Sequence, residues 1–156
     1  MPKDTKFGAE FERLTQDSLE HLSARCKLSY VRLYDTKSAR GKFLPRQPGD
    51  FIVAARGKGH LVECKASQEH QSLRACLSDN VEIHQAAAHR LWHRAGNPCW
   101  FIFHSVMTSE IELWPGLVVG EARAFGKRLN KEDALVVRID MLTDLLYNTF
   151  ELRDSK

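Results

Sequence analysis

The stretch from Pro48 to Ser67 constrains this chain most. Two short apolar runs, Phe51 to Ala55 and His60 to Ala66, flank Arg56-Gly57-Lys58-Gly59. Such runs on either side of a glycine-containing turn predict a β-hairpin. Three charges interrupt it: Asp50 at the start of the first strand, and Glu63 and Lys65 on the second. Residues two apart in a strand share a face, so Glu63 and Lys65 point the same way. Burying such ions costs on the order of several kcal/mol each in desolvation. A site explains that cost more readily than packing does. Plainer readings exist for each residue alone. Asp50 can cap a turn after Pro-Gly, and Glu63 and Lys65 can decorate an edge strand that lysine guards against aggregation.

With 156 residues, 43% hydrophobic and 28% charged, the chain reads as one folded domain rather than a disordered segment. No run approaches the roughly 18 apolar residues of a membrane span. Met1 to Lys6 lacks the apolar segment of a signal peptide. Cys26, Cys64, Cys76 and Cys99 form no Cys-x-x-Cys pair, which suits free thiols in a reducing cytoplasm.

The distribution of charge says more than its net value. From Arg25 to Arg46 there are seven bases (Arg25, Lys27, Arg32, Lys37, Arg40, Lys42 and Arg46) against one acid, Asp35. From Lys131 to Lys156 there are four bases and six acids. A basic segment leading into an acidic site suits a polyanionic substrate, and a solvated basic loop is the bland alternative.

Phe7 to Arg25 reads as a helix with a stripe of Phe7, Phe11, Leu14, Leu19 and Leu22. Ser29 to Tyr34 is β-prone. Asp35 to Pro48 is a loop rich in charge, glycine and proline. After the hairpin, Gln68 to Asn80 reads as a loop with a short helical turn. Val81 to Ala95 is a helix ended by Gly96-Asn97-Pro98, with Ala88, Leu91, Trp92 and Ala95 as its core stripe. Cys99 to Val106 has the near-continuous apolar run of a central strand. Glu110 to Trp114 is a strand stopped by Pro115-Gly116, Glu121 to Leu129 a helix, Leu135 to Ile139 a strand and Met141 to Phe150 a closing helix. The order predicts an α/β fold with a mixed central β-sheet flanked by helices. His89 and His93 stand at i and i+4, a zinc-site spacing. With no partner ligands in the pattern, they read as solvent- or DNA-facing.

Phosphodiester hydrolysis needs an activated water and a stabilised leaving oxygen. Mg²⁺ serves both, and it prefers hard oxygen ligands. Opposed residues of an antiparallel pair have Cβ atoms about 5 Å apart, so Asp50 and Glu63 suit a shared cation if the hairpin sets them side by side. The Cys64 carbonyl points into the same space, while its side chain points to the opposite face. Lys65, on the Glu63 face, is placed to hold the attacking water and neutralise phosphate charge.

Asp50 followed by Glu63-Cys64-Lys65 resembles the PD-(D/E)xK nuclease motif, with Gly49 inserted between proline and acid. Lys6-Phe7-Gly8-Ala9-Glu10-Phe11-Glu12-Arg13 resembles the opening helix of that superfamily's Holliday-junction resolvases. In those proteins a glutamate four residues after a glycine completes the metal site. The spacing matches Glu12, with Glu10 as the fallback. Glu82-Ile83-His84-Gln85 opens the helix after the motif strand, where resolvase-type members carry a glutamine. The resemblance covers residues 6 to 106. It implies a restriction-endonuclease-like core from about residue 7 to 106, with residues 107–156 elaborating the same single domain.

The activity so implied is a Mg²⁺-dependent endodeoxyribonuclease, with Mn²⁺ as a substitute, that cuts four-way DNA junctions as a homodimer. Asp50, Glu63, the Cys64 carbonyl and Glu12 serve the metal, Lys65 the nucleophile, and Gln85 lies beside them. Arg32, Lys37, Ser38, Arg40, Lys42 and Arg46 contact DNA, with Thr36 as a second hydroxyl candidate. The loop Gln68 to Asn80, with Arg74, adds phosphate contacts. Two alternatives stay open: a repair or restriction-type nuclease on duplex, flap or single-stranded DNA, and a non-catalytic DNA-binding accessory protein.

Overall fold

The computed structural model describes residues 4–34 and 46–155. Helix α1 (Asp4–Arg25) leads into strand β1 (Leu28–Arg32), then β2 (Phe51–Ala55) and β3 (Lys58–Ser67). A 3-10 turn at Leu73–Ala75 and the short α2 (Leu77–Asn80) precede α3 (Ile83–Arg94) and β4 (Cys99–Ser105). Then come β5 (Glu110–Pro115), α4 (Gly116–Phe125), β6 (Leu135–Arg138) and α5 (Leu142–Thr149). Among the described residues the sheet has six strands in sequential order, β1 to β6. The β3–β4 pair alone is parallel and the rest are antiparallel, so the sheet is mixed and the fold is α/β.

The hairpin turn is tighter than expected. Ala55 pairs with Lys58, leaving Arg56 and Gly57 as the two-residue loop. Their φ values of 53° and 76° are both positive, as a type I′ turn requires. Gly57 meets that demand without strain.

Alternation along the strands divides the core into two layers. Val62, Cys64 and Ala66 of β3, with Ile102 of β4, pack under α1 and α5 against Phe11, Leu19, Leu22, Leu145 and Phe150. On the other face Phe101, Phe103 and Trp114 meet Ala86 of α3 and Val119 and Ala122 of α4. Each fully buried side chain of this size contributes roughly 1.5–3 kcal/mol over leaving it in water. The helices α3 and α4 leave β1 and β2 uncovered on their side of the sheet, where Ser29, Val31 and Ala54 are exposed. Residues 107–156, expected as an elaboration, supply β5, β6 and one helix to each layer.

Three expectations need correction. Leu14 is 38% exposed, and Thr15 takes its place in the α1 stripe by donating its hydroxyl to the Phe11 carbonyl at 2.9 Å. The buried positions of α3 are Ala86 and His89, while Leu91 is 61% exposed. The cause is the close approach of α4: a Cβ on Gly120 would lie 2.9 Å from the Ala86 carbonyl oxygen, and one on Gly116 would strike the His89 ring. Finally, α4 begins at Gly116, directly after Pro115, so the expected breaker is the start of a helix that was placed five residues too late.

Candidate active site

The β2–β3 ladder ends at the Phe51–Val62 pair, and the chain stays against β3 for one residue more. The Asp50 N–H donates to the carbonyl of Val62, the residue that Phe51 also pairs with, at 2.9 Å, which holds Asp50 in a bend against β3 beside Glu63-Cys64. Gly49 makes this possible. A Cβ there would lie 2.9 Å from Leu61 Cδ1 and 3.1 Å from the Val62 oxygen, so only glycine lets the chain run this close to β3. The glycine between proline and acid is thus a packing requirement.

Asp50 Oδ2 accepts from the Cys64 N–H at 2.7 Å. The N–H and C=O of one strand residue point the same way, so the Cys64 carbonyl also opens toward Asp50. The Cys64 side chain turns to the α1 face, with Sγ 3.6 Å from Thr15 Oγ1. Burial, then the Asp50 charge, pushes its thiol well above the usual range, which makes it a core residue and not a nucleophile.

Glu63 is 3% exposed. Its Oε1 accepts from Gln85 Nε2 at 2.7 Å and pairs with Lys65 Nζ at 3.1 Å. Gln85 is itself held by the capping box of α3. Its Oε1 accepts from the Glu82 N–H at 3.0 Å, while the Glu82 side chain accepts from the Gln85 backbone. The amide can present only its NH₂ to Glu63. One residue therefore starts the helix and orients the acid.

The site carries uncompensated negative charge. Burial raises the Asp50 carboxyl well above its usual range, and the charges of Glu63 and Glu12 raise it further. Burial also raises Glu63, with Lys65 opposing. Lys65 is pulled down by burial, but Glu63 and Asp50 outweigh that and hold its ammonium above the usual lysine value. It stands as a fixed cation beside two strained acids.

Glu12 approaches from α1 and Glu10 is exposed on the same helix. Arg32 holds Glu12, with Nη2 3.0 Å from Oε2, while its Nη1 donates to Gln16 Oε1 at 2.7 Å. The structure thus brings Asp50, Glu63, Lys65 and Gln85 together and places Glu12 beside them in an ion pair. Arg32, expected to contact DNA, is spent on that pair. Arg46 is exposed, with Nη1 3.5 Å from His84 Nδ1. Thr36, Lys37, Ser38, Arg40 and Lys42 lie outside the described residues.

Among the described residues no three His, Cys, Asp or Glu side chains form a ready-made cation cage. The donor set present is two carboxylates and a backbone carbonyl. It fits Mg²⁺, which is usually held by one or two carboxylates while water and phosphate fill the rest. Burial first, and then the charges of Glu63 and Glu12, raises Asp50, and a cation held there would offset that cost.

Two buried polar groups escaped the sequence reading. His89 is fully buried, not solvent- or DNA-facing, and neither ring nitrogen has a hydrogen-bond partner among the described residues. Its ring lies 4.2 Å from that of Phe101, and burial, aided by the Lys65 charge, lowers its pKa to about 3. Glu112 accepts from Trp114 Nε1 at 2.7 Å, the Leu73 N–H at 3.2 Å and Ser72 Oγ at 3.4 Å. It ties the loop after β3 to β5. The i, i+4 spacing with His93 draws attention to His89 but not to its burial, and nothing in the sequence marks Glu112, because each is defined by partners far along the chain.

Fold and site together define an α/β protein with a mixed sheet and a paired-acid, lysine-bearing hairpin. The chain is similar in structure to Hjc, a Holliday junction resolvase from the archaeal hyperthermophile Archaeoglobus fulgidus, with a TM-score of 0.46, 14% identity, and coverage of 88% of this chain and 93% of that one. No protein-family model and no curated protein matches the sequence.

Proposed function

We propose that this protein is a metal-dependent endonuclease that hydrolyses DNA phosphodiesters at branched, four-way substrates. The observation that carries the reading is the Asp50 carboxylate anchored on the Cys64 N–H at 2.7 Å, next to Glu63 in the chain, with Lys65 Nζ 3.1 Å from Glu63. Asp50, Glu63 and the Cys64 carbonyl are the residues that would hold Mg²⁺ or Mn²⁺, with Glu12 alongside. A cation there supplies Lewis acidity toward the phosphodiester.

The remaining work falls to the chain's own groups. Gln85 keeps Glu63 in one orientation, so the acid pays little reorganisation at the moment of reaction. Lys65 offers N–H donors to a phosphate oxygen and offsets its charge. Its raised pKa depends on Glu63 and Asp50. As a held ammonium, Lys65 hydrogen-bonds and polarises an attacking water and neutralises charge on the phosphate.

The choice of a four-way junction rests on the sequence resemblance at Gly8, Glu12 and Gln85. A homodimer is the assembly that would make paired nicks, because two-fold symmetry of the protein matches that of the junction. The test is cleavage of a labelled four-way junction beside matched duplex, flap and single strand, with Mg²⁺ or EDTA. Junction-selective, metal-dependent cutting is expected. Preference for duplex or flap overturns the junction assignment, and no cutting of any substrate overturns the enzyme.

A further inference from the structure

Among the described residues no helix covers the α3-side face of β1 and β2, and at the hairpin turn that face ends in an open groove of about 600 Å³. Lys27, Ser29, Ala54, Arg56, Gly57 and Lys58 line it, and no acid does. Lys27 and Lys58 form no ion pair among the described residues. Arg56 has only a 3.5 Å contact to the Glu151 carbonyl. Nearby Asp154 is already paired with Arg25 at 3.5 Å. Three cations with no ion pair among the described residues therefore face one concavity, and Glu151, an acid likewise without an ion pair there, lines the adjoining cavities. The surface leading to it is shallow: Ser29 and Ala54 put little side chain between backbone and solvent, a Cβ on Gly57 would meet nothing within 4 Å, and Trp92 bounds the surface at Gly59.

From Asp50 to Arg56 the strand spans about 20 Å at some 3.4 Å per residue. That is about six base-pair steps along a duplex, each adding a phosphate per strand.

We infer that the Lys27–Arg56–Lys58 groove is a second phosphate-binding subsite, which grips the DNA backbone about six base pairs from the bond the Asp50–Glu63 site attacks. The inference rests on the nuclease reading for the position of the scissile bond. No acid lines the groove, and its apolar residues are two alanines and Leu28, which is only 9% exposed, a small anchor for a protein partner. Its chemistry is that of an oxyanion cradle repeated along a polymer.

The test measures binding of a labelled branched DNA in EDTA over a salt series, and cutting in Mg²⁺ separately. The variant is Lys27→Gln/Arg56→Gln/Lys58→Gln. The control is Arg94→Gln/Lys127→Gln/Arg128→Gln, which removes equal charge from other exposed positions. The groove variant is expected to bind about tenfold more weakly or worse, with the salt slope reduced by about 2–3, since each lost phosphate contact removes about 0.9. The difference should vanish on arms shorter than about six base pairs. Wild-type affinity and slope in the groove variant, or an equal loss in the control, overturns the subsite. Equal melting temperatures exclude a folding defect. Wild-type protein that binds but never cuts overturns the nuclease reading, while the binding data still decide the groove.

Discussion

Gln85 Nε2 donates to Glu63 Oε1 across 2.7 Å, so the amide that closes the α3 capping box also orients a buried acid of β3. Gln85→Leu is expected to cost about 1 kcal/mol of stability through lost capping, read as a lower melting temperature. It is also expected to slow cutting about 10- to 100-fold, as loss of a ligand-orienting partner does. Single-turnover kinetics beside thermal melting measures both, and wild-type cutting by this variant contradicts the role given to Gln85.

Glu12, not Glu10, is the α1 acid whose charge reaches Asp50 and Glu63. Glu12→Gln is expected to reduce cutting at least tenfold and Glu10→Gln to leave it within twofold, on the scale of other orienting groups. Arg32→Ala frees Glu12 from its 3.0 Å ion pair and should weaken cutting through a less ordered acid. Equal effects of the two glutamine variants would remove Glu12 from the site.

Acid should destabilise the fold through His89 and His60, whose pKa values are lowered to about 3 and about 4 by burial. Unfolded histidine titrates near 6.5, so below that pH the unfolded chain binds more protons than the folded one. Stability is then complete above pH 6.5 and falls as pH drops through the window. For His89 the loss is about 2 kcal/mol at pH 5. His89→Leu should flatten the melting-temperature profile between pH 6.5 and 4; an unchanged slope contradicts a neutral, buried His89.

Gly49→Ala tests the path that delivers Asp50. The new methyl lies 2.9 Å from Leu61 Cδ1 and 3.1 Å from a backbone oxygen of β3. A cost of about 1–3 kcal/mol is expected from overpacking, with cutting lost out of proportion because Asp50 shifts with its backbone. Chemical denaturation and kinetics of the same sample separate the two effects.

The hairpin and its charges were legible because they depend on local rules. Alternation, a positive-φ turn and an i, i+2 pair bring Glu63 and Lys65 onto one face without reference to the rest of the chain. Even so, Gly49 acquired its reason only from Leu61 and Val62. The buried face of α3 was not legible. Leu91 and Trp92 are the larger apolar residues, yet Ala86 and His89 are buried because Gly116 and Gly120 let α4 press against them. That contact lies about thirty residues away in sequence and leaves no periodic trace in α3. Pro115-Gly116 misled for a related reason, since the pair that stops β5 also opens α4.

The most direct measurement is cleavage of a labelled four-way junction by wild-type protein and by Asp50→Asn, each with Mg²⁺ and with EDTA, beside junction binding in EDTA. Asp50→Asn keeps the side-chain shape and removes the carboxylate anchored on the Cys64 N–H beside Glu63. Cutting only by the wild type and only with Mg²⁺, with comparable junction binding by both proteins, is the expected result. Metal-dependent cutting that survives in Asp50→Asn would contradict the assignment of the site to the Asp50–Glu63 pair.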